Sequence, residues 1–232
     1  MASTYLTRTT GTPTSGKKYT WSAWVKRSQT ASHNYIFSEY RTGNDRDEFG
    51  LMNNDTFRWE SLNSGNNVAY FQTNRLFRDC NAWYHFVFAY DSTLATSTDR
   101  WKFYVNGVQE TSFSATMYPA QNAEGSINIS GITQNIGQRG GSYGYLDGSM
   151  SHFHFCDGTA LSPTVFGETD STTGEWKIKT SPSFTLGNNG FTILKDGNTI
   201  TDQSSNSNNF SLGGGTLTKT EDNPSNVFAT LN

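Results

Sequence analysis

The stretch Trp83–Gly107 reads WYHFVFAYDSTLATSTDRWKFYVNG. Two runs of aromatic and β-branched residues flank a short polar connection, and the second run ends in Asn106-Gly107. Such side chains suit a pleated, half-buried surface, and Asn-Gly supplies the positive φ angles of a tight hairpin turn. From Trp83 to Tyr90 nearly every residue is apolar on both faces, which predicts an internal strand covered on both sides. From Trp101 to Asn106 alternation returns, with Trp101, Phe103 and Val105 opposed to Lys102 and Tyr104. The stretch therefore predicts antiparallel β-structure.

Working outward, the same signals recur. Tyr19–Val25 predicts a strand with Tyr19, Trp21, Ala23 and Val25 on one side and Trp24 on the other. Tyr35–Tyr40 predicts a second strand, followed by a charged loop from Arg41 to Glu48. Phe49–Met52 and Thr56–Trp59 predict a hairpin across Asn53-Asn54-Asp55, and Val68–Phe71 another short strand. Ile127–Ile129 and Asn135–Gly137 are short strands, and Tyr145–Cys156 is a long one after the glycine-rich loop 137–144. Ser162 and Pro163 suit the start of a single helical turn. Residues 1–16, broken by Gly11, Pro13 and Gly16, read as an extended arm, and 17–167 as the sandwich. Beyond Gly167 the texture thins into an irregular C-terminal extension, 168–232. Only 174–178, 190–194 and 225–228 there look like short strands, and 202–216 is a low-complexity Ser/Asn/Gly tract. Many short strands between turns predict an all-β antiparallel sandwich of jelly-roll type.

Composition agrees. The chain has 232 residues, a length that all-β sandwiches fill as one domain. Aromatic residues make up 14% and charged residues 16%, with 22 glycines. That mix suits strands joined by turns and excludes a disordered chain. A net charge of −3 without a basic stripe gives no reason to expect a nucleic-acid partner. The first 18 residues lack the apolar core of a signal peptide, and no run is long enough for a membrane-spanning helix. The expectation is a chain made in a cytoplasm that stays soluble or leaves by a route without a cleaved signal. Cys80 and Cys156 are expected as free thiols, with a Cys80–Cys156 disulfide as the alternative.

Four segments, in order, carry a resemblance: TWSAWVKRS at 20–28, WYHFVFAYDST at 83–93, WKFYVNGVQ at 101–109 and YLDGSMSHFHFCDGTALSPTVFGE at 145–168. Together they are similar to the concanavalin A-like, laminin-G-like sandwich domains of marine bacteriophage virion proteins. ETDSTTGEWKIK at 168–179, NNGF at 188–191, NSNNF at 206–210 and DNPSNVFATLN at 222–232 resemble that phage group as well. Ser151, His152 and Cys156 depart from its usual residues in the long strand. The resemblance implies a non-enzymatic bacteriophage virion protein, assembled in the host cytoplasm. Its role would be capsid decoration or a tail-associated module, with other virion proteins and host-surface glycans as partners and a symmetric homo-oligomer as its form. A lectin-like carbohydrate-binding module or tail-fibre adhesin is the alternative, followed by a glycan-degrading enzyme.

The residues themselves narrow the chemistry. A retaining glycosidase needs two carboxylates about 5–5.5 Å apart, and no such pair sits on an expected strand. Asp45, Asp47 and Glu48 are expected on the solvated loop beside Arg41 and Arg46. His85 is expected in a buried strand, and His152 and His154 as structural or surface residues, with Asp157 the nearest third ligand for any metal. Laminin-G-like domains often hold Ca²⁺ at the rim. Asp91, Asp147 and Asp157 sit at strand ends as such ligands would, yet no dense acidic loop accompanies them, so no metal ligands are assigned and no cofactor is expected, with Ca²⁺ as the alternative. Glycan binding would use exposed aromatic faces with Asn and Arg for hydroxyls. Arg139, Tyr143 and Tyr145 around the glycine-rich loop have that chemistry, as does Trp59 with Asn53 and Asn54 on its hairpin.

Overall fold

A computed structural model describes residues 3–195, 199–222 and 224. Among them sixteen strands follow in chain order. They are β1 (Tyr5–Thr9), β2 (Lys18–Arg27), β3 (Asn34–Thr42), β4 (Asp45–Leu51), β5 (Thr56–Asn63), β6 (Asn66–Leu76), β7 (Tyr84–Asp91) and β8 (Trp101–Val105). After these come β9 (Val108–Gln109), β10 (Phe113–Met117), β11 (Thr133–Ile136), β12 (Gly148–Asp157), β13 (Gly167–Thr169), β14 (Trp176–Ile178), β15 (Phe191–Ile193) and β16 (Ser211–Gly214). The larger sheet orders eight of them β10-β6-β5-β4-β3-β11-β1-β16, and the smaller orders six β15-β12-β2-β7-β8-β9. β13 and β14 form a separate ribbon, and the pairings are antiparallel throughout. The two sheets face each other across one core, giving the expected all-β sandwich.

The core is aromatic because inward positions at period two on facing strands carry Phe, Trp and Tyr. Trp21 meets Phe49 edge-on with centroids 5.0 Å apart, Phe49 stacks on Trp59 at 5.7 Å, and Trp59 lies 4.6 Å from Phe88. Tyr19, Trp21, Ala23 and Val25 of β2 all join this cluster, as their alternation predicts. β7 runs between β2 and β8, and its outward residues His85 and Val87 are fully buried. The Asn106-Gly107 turn has φ of +48° and +79°, the mirror-image turn that matches strand twist. Gly107 is also required by contact. A Cβ there would lie 2.4 Å from the Trp176 ring that packs over the turn.

Four expectations need correction. Residues 1–16, expected as an extended arm, include an unexpected strand: β1 lies inside the larger sheet between β11 and β16. Its alternation is masked by inward Arg8, whose guanidinium stacks over Phe191 and Phe210 at 5.1 and 5.6 Å. The charged loop 41–48 is largely strand β4, and Asp47 and Glu48 are buried. Ile127–Ile129 is not a strand; a 3₁₀ turn spans Ser126–Asn128 instead. The tract 202–216 contains β16, and its polar side chains are tied down. Asp202 accepts from the backbone N–H groups of Thr192, Ser204 and Asn208 at 2.8–2.9 Å.

The C-terminal extension packs on the sandwich. β15 extends the smaller sheet beside β12, β16 extends the larger beside β1, and Phe191, Ile193 and Phe210 enter the core. Phe166, Trp176 and Phe184 cover the outer face of the smaller sheet at His85 and His154. The expected strand 225–228 lies outside the described residues.

Candidate functional site

The outer face of the larger sheet carries the densest polar and aromatic chemistry. On β4 and β5, inward Phe49, Phe57 and Trp59 alternate with outward Arg46, Glu48, Arg58 and Glu60, so the outward set lines up across the register Glu48↔Glu60. Glu48, 1% exposed, sits at the centre. Arg46 Nε lies 2.9 Å and Arg139 Nε 2.7 Å from its Oε2, and Arg58 reaches its Oε1 at 2.8 Å. Arg46 also holds Glu60 at 2.7 Å. Three guanidinium groups thus surround two carboxylates, leaving one net positive charge. Burial pushes the Glu60 carboxyl up, against the pull of Arg58. Burial also raises the Tyr35 hydroxyl, which lies 3.3 Å from Glu48 and 3.2 Å from Arg58. His33 stacks on Tyr35 at 6.2 Å, and burial, then Arg58, lowers its pKa. Two carboxylates, Glu48 and Glu60, do stand opposite each other on strands, and each is held by arginine.

The glycine-rich loop 137–144 runs beside this cluster. Arg139 N–H donates to the Tyr143 carbonyl at 3.2 Å, and the Arg139 guanidinium lies over the Tyr143 ring at 5.3 Å. Gly140, at φ +100°, lies so close to Tyr40 that a Cβ would come within 2.4 Å of it, which holds the loop flat on the sheet. On the loop's other side is a depression of about 300 Å³, walled by Tyr5 and Tyr40. Thr7, Thr133, Asn135 and Gln138 also line it. Asn135 is 6% and Gln138 3% exposed. Among the described residues neither side-chain amide has a protein hydrogen-bond partner. Amide groups presented between two aromatic rings suit ring hydroxyls and apolar sugar faces.

The structure brings together two of the five residues expected from sequence. Arg139 and Tyr143 belong to the arginine cluster, with Tyr143 45% exposed. Tyr145 packs against Tyr5, at 6.1 Å, behind the depression. Trp59 is a correction. It is 1% exposed in the core, and its indole N–H donates to buried Asp47, so no face is offered to a sugar. Asn53 and Asn54 are exposed at the β4–β5 turn, apart from the other three. Tyr5, Tyr40, Asn135 and Gln138 escaped sequence reading. Outward parity on β3 and β11 marks Tyr40 and Asn135, but Tyr5 needed the unexpected strand β1.

Other expected sites resolve differently. Asp157 accepts from the N–H groups of Thr14 (2.7 Å), Ser15 (3.1 Å) and Asn189 (3.0 Å) and from the Asn128 amide (2.7 Å). Asp91 is held by Thr93 and by Lys18 at 3.0 Å. With Asp147 on a separate strand end, the rim aspartates do not fit a calcium site, and no cluster of three His, Cys, Asp or Glu residues forms a metal site among the described residues. His85 is buried between Trp24 and Trp176. Its Nδ1 accepts from the Trp176 indole at 2.9 Å, and its Nε2 lies 2.8 Å from Ser22 Oγ. His154 Nδ1 lies 2.9 Å from Thr192 Oγ1, and His152 Nδ1 lies 2.7 Å from Ser151 Oγ. Cys80 and Cys156 are free, and burial pushes the Cys156 thiol up to about 11. A cavity of about 310 Å³ opens between the sheet edges under Thr216–Asp222, where Lys26 and Trp83 hold Asp222. None of the five expected residues lines it.

Residues 2–165 match the laminin-G-like family model described as the concanavalin A-like lectin/glucanases superfamily. The chain belongs to this superfamily. No curated protein sequence matches it. Among solved structures, it is similar to a carbohydrate-binding protein of Bacteroides ovatus, so described in its source as a provisional assignment. That similarity has a TM-score of 0.57 at 17% identity, covering 94% of this chain and 58% of that one. It is also similar to the heptameric pentraxin of Limulus polyphemus (TM-score 0.48, 20% identity, 68% and 71% covered). A third is the carbohydrate-binding module of a Ruminococcus gnavus sialidase, solved with sialyllactose (TM-score 0.46, 16% identity, 64% and 79% covered). At these identities the likeness concerns the fold.

Proposed function

We propose that this superfamily member is a non-enzymatic glycan-binding sandwich whose binding face is the outer surface of the larger sheet around loop 137–144. One observation carries the reading: two buried side-chain amides, Asn135 and Gln138, present their polar atoms between Tyr5 and Tyr40 without protein partners. Sugar hydroxyls would supply those partners, and the tyrosine rings the stacking surface. The likeness to the Bacteroides ovatus carbohydrate-binding protein supports the class of ligand. Following the resemblance of its segments, we further propose display on a bacteriophage virion, as capsid decoration or a tail-associated module.

Glycan-array screening followed by calorimetry tests the binding. Tyr40→Ala should weaken a glycan found this way about 5-fold or more, the worth of one aromatic contact, with no change in secondary structure. Unchanged affinity in Tyr40→Ala and Gln138→Ala together would refute the assigned face. Cryo-EM of purified virions without density for this chain would refute the virion placement while leaving glycan binding standing. The Glu48–Glu60 pair favours hydrolysis as a second reading, but arginine pairing holds both carboxylates in place of a proton-donating role. Reducing-sugar release lost in Glu60→Gln would reverse that order.

A further inference from the structure

Inside the sandwich, beside the 3₁₀ turn Ser126–Asn128, four polar side chains are each fully buried: Tyr19, Glu39, Asp47 and Gln134. Gln134 pairs with Glu39 across β11 and β3, and Glu39 pairs with Asp47 across β3 and β4. The three form one row across the sheet, on the same inward face as Phe37 and Phe49, with neighbouring Cα atoms about 4.5–5.5 Å apart. Tyr19 faces them from β2. Burial first, then the Asp47 charge, raises its hydroxyl well above the usual value.

Each residue leaves one buried oxygen without a hydrogen-bond partner: Glu39 Oε2, Asp47 Oδ2, Gln134 Oε1 and Tyr19 Oη. The opposite atoms are engaged. Arg41 Nε donates to Glu39 Oε1 at 2.8 Å, Trp59 donates to Asp47 Oδ1, and Gln134 Nε2 donates to the Ile127 carbonyl at 2.7 Å. The Ile127 N–H approaches Asp47 closely enough to favour its charged form, without completing a hydrogen bond at Oδ2. Three of the four open oxygens can only accept when the carboxyls are ionised, so they cannot satisfy one another. Buried polar atoms without partners are costly and few in native proteins. Three in one row across the sheet, with a fourth facing that row from β2, call for a shared electrophile.

We propose that Glu39, Asp47, Gln134 and Tyr19 bind one divalent cation of the calcium class within the sandwich. The donor set is hard oxygen throughout, and two carboxylates balance a double charge. Calcium accepts six to eight oxygens at about 2.3–2.6 Å in flexible geometry, so water entering with the ion completes its shell, whereas magnesium demands a stricter octahedron. Burial pushes the Glu39 carboxyl up to about 7 and the Asp47 carboxyl well above its usual range, and the Glu39 charge adds to the rise at Asp47. This site is separate from the rim aspartates and from the outer glycan face.

The test starts from protein dialysed against EDTA. Adding calcium at a hundredfold excess over Kd should raise the melting temperature by about 5–10 °C, and magnesium should do less. Terbium should bind one to one with luminescence sensitised by Trp59, whose indole contacts Asp47. Asp47→Asn and Glu39→Gln should each abolish both signals, while Asp91→Asn should keep them. Wild type that shows neither signal overturns the proposal, as does a terbium signal that survives in Asp47→Asn. If Asp47→Asn melts higher than wild type in every buffer and calcium changes nothing, the oxygens share a proton and the cation site is refuted. The wild-type titrations need no variant to fold.

Discussion

Replacing His85 by glutamine should make the protein less sensitive to acid than the wild type. His85 is fully buried, and burial first, then nearby His152, lowers its pKa to about 3. His154 reaches about 3 for the same leading cause. In the unfolded chain both titrate near 6.5. Between these values the unfolded state binds more protons, so stability rises with pH. The contribution is complete above about pH 6.5 and is lost as pH falls toward 3. At pH 5.0 each histidine should have withdrawn about 2 kcal/mol, from roughly 1.5 pH units at 1.36 kcal/mol each. Glu39 acts with the opposite sign, since its carboxyl, raised to about 7, favours the folded state as pH falls below that value. A raw stability profile therefore mixes the two, and the difference between wild type and variant isolates the histidine. Urea unfolding followed by tryptophan fluorescence at pH 7.5 and 5.0 gives that difference. The gap between wild type and His85→Gln should narrow or invert by about 2 kcal/mol on acidification, a midpoint shift of about 0.7 M at a slope near 3 kcal/mol/M. His154→Asn should behave alike. An identical gap at both pH values would mean that the native imidazoles are already hydrated, and the covering role of the extension would fall.

Three further outcomes are expected. Trp59→Ala should cost about 3–5 kcal/mol in chemical denaturation, as a core cavity, and leave glycan affinity unchanged at a temperature where the variant is folded. Asp157→Ala should cost about 4 kcal/mol, because four N–H donors from three chain segments lose their acceptor, and hydrogen exchange should show early opening at Thr14, Ser15 and Asn189. Gly107→Ala should lose about 2 kcal/mol from left-handed strain and from displacement of Trp176, read as a change in the near-ultraviolet circular dichroism.

The fold was legible wherever alternation and burial agreed. In β2 and β7 the inward positions carry aromatics and the outward positions are also covered, so composition and period pointed the same way. Legibility failed where charged residues face inward. Arg8 hid β1, and Asp47 made β4 look like a solvated loop, because a sequence pattern assigns charges to water. Trp59 shows the reverse error. Phe57-Arg58-Trp59-Glu60 alternates plainly, and parity with Phe57 already places the indole inside. For the site, Arg139 and Tyr143 were readable as exposed turn chemistry. Tyr5 and Gln138 were not, since the depression exists only where β1 and β11, more than a hundred residues apart, become neighbours.

The seat of β1 between β11 and β16 also bears on how the chain reaches its native state. Residues 5–9 are made well before both of their partners, which lie at 133–136 and 211–214. Both pairings close very long loops, which makes them slow steps. β1 must therefore stay unpaired until residues 133–136 are made, and its other edge stays open until 211–214 follow. Overexpression at reduced temperature, or slowed translation after residue 136, should change the yield of folded protein more than any substitution on the glycan face.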